Sequence, residues 1–266
     1  MSYRKIFSVV NEQTASTVMT RYAICLAAAC KAALVLYAAH EEWRDETLLR
    51  HTDRHLDHLF TVAFELGIPV TRITEVGNIR KLLPKRVEAE QADLVFYPLT
   101  PDDAHGANLQ RQTVEHLQRT IKSDLAFMRA ISMAKPHPRH ILVPFGKLIS
   151  DRERRLMFIS ELARSFHAQV TLFHLLAENE TKIMPDDIIQ FRQQLQQKDV
   201  KVLERKGRGH LSKAINVEAI TRHNDLIVLG ASERGLLQRL LLGDPAAAVM
   251  HQPPCNAILF RAGAAL

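Results

Sequence analysis

The chain is poor in cysteine, in aromatic residues and in long apolar runs. Cys25, Cys30 and Cys255 are its three cysteines, and no two of them make a CxxC pair. That excludes a disulfide framework and points to a reducing compartment, the cytoplasm. Cys25 and Cys30 sit in an Ala-rich stretch, where a thiol behaves as a small hydrophobe. The longest apolar stretch, Ala23 to Ala39, is interrupted by Lys31 and divides into a helix end and a strand, so membrane insertion is not expected. Met1-Ser2-Tyr3-Arg4-Lys5 leads into a short apolar run rather than a signal-peptide core. Aromatics make up 6% of residues, and the apolar mass of Ala, Leu, Val and Ile suits helices on sheets better than an all-β sandwich.

Charge of one sign is lacking as well. Thirty-five basic residues face 29 acidic ones, a formal balance of +6, and they are scattered without interleaved aromatics. Nucleic acid is therefore not an expected partner. There is no G-x-x-x-x-G-K-[ST] phosphate loop and no G-x-S-x-G elbow. No residue stands out as nucleophile or general base, so no enzyme is expected and no catalytic residue is nominated.

What the chain does have is a repeat and enough length, 266 residues, for two cores. Ile6-Phe7-Ser8-Val9-Val10 is matched by Ile141-Leu142-Val143-Pro144-Phe145, and Asp93-Leu94-Val95-Phe96-Tyr97 by Asp225-Leu226-Ile227-Val228-Leu229. Val70 and Gly77 correspond to Val202 and Gly209, and Leu125 to Arg129 corresponds to Ala257 to Arg261. Between the halves, residues 132–140 carry two prolines, Lys135, Arg139 and two histidines without periodicity, which reads as a linker. The expected domains are 1–135 and 140–266.

In the second half, short apolar runs alternate with helical periodicity. Strands are expected at 141–145, 170–176, 200–204, 225–229 and 257–260. Helices are expected after a Ser150/Glu153 capping box, with Leu156, Ile159, Leu162, Ala163 and Phe166 on one face, then around Ile188, Phe191 and Leu195, at 211–222 and at 246–250. The first half repeats this order. Such alternation requires crossover connections, so each half is expected to be an α/β, doubly wound, five-stranded parallel-sheet domain.

In sheets of this kind a ligand lies beyond the carboxyl ends of the strands, where the strand order reverses. After the fourth strand of the second half the chain runs from Gly230 through Glu233, Arg234 and the Arg239-Leu240-Leu241-Leu242-Gly243 run to Asp244, and Gln252-Pro253-Pro254-Cys255-Asn256 precedes the last strand. This pattern resembles the signature loop of the universal stress protein family, G-x-x-G, nine residues, then G and Ser or Thr. Only the second half carries it. The resemblance implies an adenine nucleotide alpha hydrolase-like fold and a tandem chain arranged as a pseudo-dimer, with 125–131 docked near 257–261. Pairing of two whole chains into a homodimer stays open. It also implies a nucleotide site at Gly230, Glu233, Arg234, Gly243, Asp244, Gly146 and Lys147, for ATP or another adenine nucleotide.

The site departs from the pattern. Glu233 replaces the second glycine, Asp244 the hydroxyl residue, and Pro245 offers no N–H. Gly146 stands where the first strand of ATP-binding members ends in aspartate, and Asn11 stands there in the first half. Asp244 and Pro245 together also make a good helix start without any ligand. In the first half, the loop from Leu99 to Gln112 has Asp102, Asp103 and a single glycine, Gly106, and no nucleotide is expected there. Lys206-Gly207-Arg208-Gly209-His210 can be read as an anion nest or as a two-glycine turn, and His51, His55 and His58 as a metal-binding face or as a solvated one; the plainer reading is favoured for both. No cofactor is expected.

The favoured function is thus a non-catalytic stress-response or regulatory module with a degenerate nucleotide site and a protein partner. Its alternatives are an ATP- or AMP-binding switch using the second domain alone, and a cytoplasmic regulatory partner of a membrane transporter.

Overall fold

Runs of four to six aliphatic residues that are buried on both faces become central parallel strands, and the helical stretches between them supply the crossovers. The computed structural model describes residues 2–41, 45–100, 107–131, 137–145, 149, 151–176, 184–230 and 249–264. The chain divides into two units, Met1–Ser132 with Gly263–Leu266, and Met133–Ala262.

Unit 1 runs β1 (Lys5–Val9), α1 (Thr14–Cys30), β2 (Ala33–His40), α2 (Glu46–Glu65), β3 (Val70–Val76), α3 (Ile79–Ala89), β4 (Leu94–Leu99), α4 (Ala107–Thr120) and β5 (Asp124–Arg129). Its strand order is β3-β2-β1-β4-β5, parallel throughout. Unit 2 runs β6 (His140–Phe145), α5 (Arg152–Phe166), β7 (Gln169–Leu175), α6 (Asp186–Gln196), β8 (Val202–Gly207), α7 (Leu211–Thr221), β9 (Leu226–Gly230) and β10 (Asn256–Arg261). Its order, β8-β7-β6-β9-β10, is the same. The α/β, doubly wound, five-stranded reading therefore holds for each unit.

The two units repeat each other in backbone detail. Asp93 accepts hydrogen bonds from the N–H groups of Arg4 and Lys5 at 2.7 and 2.9 Å, which ties the start of β1 to the start of β4. Asp225 does the same for β6 and β9, from Arg139 and His140 at 2.8 and 3.1 Å. Left-handed residues close corresponding helices: Lys31 and His167 (φ 55° and 51°), Gly67 and Asp199 (71° and 60°), Gln91 and His223 (both 51°). A left-handed turn frees the last helical carbonyls to accept from the residues that follow.

The cores lie between sheet and helices. In unit 2, Leu156, Ile159, Leu162, Ala163 and Phe166 are buried, as their spacing predicts, and Phe158 stacks on Phe260 at 4.3 Å. In unit 1, buried Asp124 accepts from the Tyr3 hydroxyl at 2.9 Å and from the Gly263 N–H at 2.6 Å.

Two local expectations are corrected. The third strand of unit 2 begins at Val202, not Val200, and extends to Gly207. The Asp199 turn is the reason: the Val200 N–H bonds back to the Leu195 carbonyl at 3.2 Å and so finishes α6. Helix α5 begins at Arg152, with Asp151 in the cap position at φ 49° and no side-chain cap bond. A box with Ser150 as the cap would start the helix one residue earlier; Ser150 itself lies outside the described residues.

Candidate functional site

The order β8-β7-β6-β9-β10 reverses between β6 and β9, so a crevice is expected past the carboxyl ends of those two strands. Their paired residues are Ile141 with Leu226 and Leu142 with Ile227, whereas β6 continues to Phe145 and β9 to Gly230. Phe145 and Gly230 are thus the last strand residues on either side of the crevice.

Of the residues that the signature pattern singles out, Gly230 is described and stands at this mouth. Gly146, Lys147, Glu233, Arg234, Gly243 and Asp244 lie outside the described residues, as do Arg239 and Pro245.

The group that occupies the described part of the mouth is Arg155, one turn into α5. Its side chain is carried inward because Arg155 shares the apolar stripe of the helix with Ile159, Leu162 and Phe166. The guanidinium carbon lies 4.9 Å from the centroid of the Phe145 ring, in cation–π contact. Phe145 also meets Phe191 edge-on, with ring centroids 5.1 Å apart. Gly230 makes room for the charge: a Cβ there would fall 2.6 Å from Arg155 Nη2 and 2.7 Å from Nε. Gly230 is not among the positive-φ residues, so what its lack of a side chain provides is space.

Arg155 is only 7% exposed, and among the described residues its guanidinium has no hydrogen-bond or ion-pair partner. Burial pushes its pKa down to about 10, and the charge of Asp151 opposes that fall. It remains a cation at neutral pH. The sequence signal for this residue is a charged side chain in line with a helix's apolar face, a weak signal because such residues usually snorkel to the surface.

Unit 1 treats the same place differently. Arg155 stands as far before His167 as Met19 stands before Lys31, and Met19 is fully buried. The fold accepts an apolar side chain at this position. Beyond β1, Asn11 is tied up locally: its side chain accepts from the Gln13 N–H at 3.0 Å, its N–H donates to Ser16 Oγ at 3.1 Å, and its carbonyl meets Ser16 Oγ and His55 Nδ1 at 3.0 and 2.9 Å.

The other sequence candidates resolve as structure. Lys206 and Gly207 belong to β8, and Gly207 leaves space for the Phe173 ring. Gly209, at φ 101°, makes the turn that follows. On α2, Asp53 pairs with Arg72 at 2.6 Å and Asp57 pairs with the same guanidinium, while His55 faces Asn11. Among the described residues no group of three or more His, Cys, Asp or Glu is placed to hold a metal ion. The thiol of Cys255 is pushed up to about 12 by burial and by Asp225, and burial also raises that of Cys25, which suppresses the reactive thiolate. Among the described residues no helix is long and apolar enough to cross a membrane.

Comparison with known proteins fits this geometry. The family model described as "Universal stress protein family" matches residues 137–261. A universal stress protein from Archaeoglobus fulgidus DSM 4304 superposes with a TM-score of 0.69 at 11% identity, covering 98% of this chain and 97% of that one. A functionally unknown protein from Pseudomonas aeruginosa PAO1 gives 0.64 at 15% identity, with 98% and 93% covered. The cytoplasmic domain of a prokaryotic cation chloride cotransporter gives 0.62 at 13% identity, with 98% and 95% covered. None of the curated proteins matches the chain in sequence. The match to the universal stress protein family is thus carried by residues 137–261, which lie in unit 2.

Proposed function

We propose that the protein is a non-catalytic stress-response or regulatory module in which unit 2 carries a degenerate nucleotide site. The observation that carries this reading is the guanidinium of Arg155 packed against Gly230. A triphosphate cradle works when backbone N–H groups approach the phosphates closely, and glycine permits that approach. In this chain the space beside Gly230 is taken by the chain's own side chain. The loop sequence points the same way, since Glu233 and Asp244 bring carboxylates and Pro245 lacks an N–H. One uncompensated repulsion at ~4 Å and an effective dielectric near 20 amounts to about 4 kcal/mol before screening.

The purified protein is expected to carry no stoichiometric ATP, read by mass spectrometry of the denatured supernatant, and to release no phosphate from ATP above a heat-killed control. Stoichiometric bound ATP, or a hydrolysis rate that scales with protein concentration, would replace this reading with the nucleotide switch.

A further inference from the structure

The outer strand of unit 1 lacks the devices that keep sheet edges apart. β3 ends the strand order of its unit and, among the described residues, pairs with β2 alone. Its seven residues, Val70-Thr71-Arg72-Ile73-Thr74-Glu75-Val76, are mostly β-branched and include no proline, glycine or lysine. Both of its charges are paired within unit 1, Arg72 with Asp53 and Asp57 of α2 and Glu75 with Arg86 of α3. The corresponding strand of unit 2, β8, carries Glu204, Arg205 and Lys206 in sequence and ends in Gly207. Consecutive charges and glycine discourage pairing at an edge, whereas a long β-branched edge invites it.

Large apolar side chains stand exposed at both ends of this edge. Phe64 is 68% exposed and stacks on Phe60 with ring centroids 6.3 Å apart, and Val76 is 55% exposed. The fold does not require them. Counted from the left-handed residues Gly67 and Asp199, Phe60 and Phe64 stand where unit 2 has Arg192 and Gln196, and Val76 stands where it has Arg208. Asp53, Asp57, Phe60 and Phe64 recur at helical spacing, so the two rings share the flank of α2 that reaches Arg72. Val70, Thr74 and Val76 alternate with Arg72 and so share its α2 face. Phe64, in the last turn of α2, stands near the Val70 end of that face, and Val76 closes the other end.

We infer that β3 is the docking edge for a second copy of this chain, whose own β3 pairs with it antiparallel about a twofold axis at Ile73. The Pro69 carbonyl accepts from the Leu34 N–H and the Gly77 N–H donates to the His40 carbonyl, both at 2.8 Å, so the odd-numbered residues turn their backbone groups toward β2. The N–H and C=O groups of Val70, Arg72, Thr74 and Val76 therefore point away from the sheet. An antiparallel copy with Val70 opposite Val76, Arg72 opposite Thr74 and Ile73 opposite itself pairs all of them, through about eight hydrogen bonds. The same register sets the Val70 end, with its Phe60–Phe64 stack, against the second copy's Val76, and the twofold repeats that contact. Each exposed apolar end is thus covered by the other, and the interface is isologous and closes at two copies. This goes beyond the reading of unit 2 and does not depend on it.

Sedimentation velocity of the full chain over a concentration series tests this. Wild type is expected to sediment as a dimer in reversible exchange with monomer. Thr74→Pro removes an N–H that β2 does not use and sets a ring on the outer side, and should weaken dimerisation by about tenfold or more. Phe64→Gln and Val76→Arg, which install the residues of unit 2, should weaken it too, with thermal melts confirming that each variant is folded. Ile73→Cys reports the register. Residues facing each other on the twofold form a non-hydrogen-bonded pair with Cα atoms about 4.5 Å apart, within disulfide reach. With oxidised glutathione that variant should give a covalent dimer, which the wild type, with Cys25, Cys30 and Cys255 alone, should not. If Thr74→Pro fails to fold, Val76→Arg and the crosslink decide. A wild type that stays monomeric at its highest soluble concentration, a dimer that folded Thr74→Pro leaves unchanged, or an Ile73→Cys dimer that does not crosslink overturns the inference.

Discussion

At the scale of single residues, Arg155 and Gly230 act as a pair. Removing a buried charge that has no ion-pair partner among the described residues relieves a desolvation cost of several kcal/mol, only part of which the Phe145 ring and the Asp151 charge offset. Arg155→Met should therefore raise the stability of unit 2 in phosphate-free buffer by roughly 1–4 kcal/mol, the gain seen when buried ionic groups are replaced by packed apolar ones. Urea titration followed by tryptophan-independent far-UV circular dichroism would read it, and a lowered midpoint would mean that the guanidinium has partners beyond those described. The pair also predicts coupling. Gly230→Ala places a Cβ against the guanidinium in wild type, at a cost of about 1–3 kcal/mol, but meets a yielding neighbour when position 155 is Met. A double-mutant cycle should return a coupling of about 0.5–3 kcal/mol, whereas strict additivity would mean that the two do not touch.

Elements are held at their ends by devices that the repeat reveals. Gln91 and His223 both adopt φ 51°, which costs a residue with a Cβ about 1–2 kcal/mol. Glycine relieves that cost but loses more chain entropy, so His223→Gly should stabilise by about 0.5–1 kcal/mol, read as a raised melting temperature. At the edge of unit 1, the Tyr37 hydroxyl of β2 donates to Glu75 of β3 at 2.8 Å, and Arg86 of α3 donates to the same carboxylate. Burial raises the pKa of Glu75, but the hydrogen bonds from Arg86 and Tyr37 outweigh it and hold the group below its ordinary value. The folded-state pKa is therefore the lower one. Stability from this network is present above the ordinary glutamate pKa, near 4.3, and is lost as pH falls through the lowered value. Arg86→Met should flatten that part of the acid limb of a stability–pH profile; an unchanged limb would assign the acid sensitivity to other carboxylates.

On the scale of the whole molecule, two units of one topology differ in what stands at the strand switch: a charged fork in unit 2, Met19 and a self-satisfied Asn11 turn in unit 1. Much of this was legible in the sequence. Ile141 to Phe145 and Leu226 to Leu229 read as strands because strands buried on both faces must be apolar throughout, and Asp93 and Asp225 marked the repeat because each must accept two N–H groups at a strand entry. The start of β8 was not legible, since the left-handed turn at Asp199 takes Val200 into the helix cap and nothing in the residue type announces it. Gly230 was legible as a position that needs space beside its Cα, but the sequence reading gave that space to a phosphate and the structure fills it with the Arg155 guanidinium; a glycine's missing side chain looks the same in either case. Arg155 was hidden among the charges of α5.

The central claim, that unit 2 lacks a working triphosphate site, is tested most directly by titrating magnesium–ATP calorimetrically into the wild-type chain and into a Glu233→Gly, Asp244→Ser double variant. Wild type is predicted to give no saturable heat at micromolar nucleotide, and the variant to bind more tightly than wild type. Micromolar binding of magnesium–ATP by the wild-type chain would contradict the account.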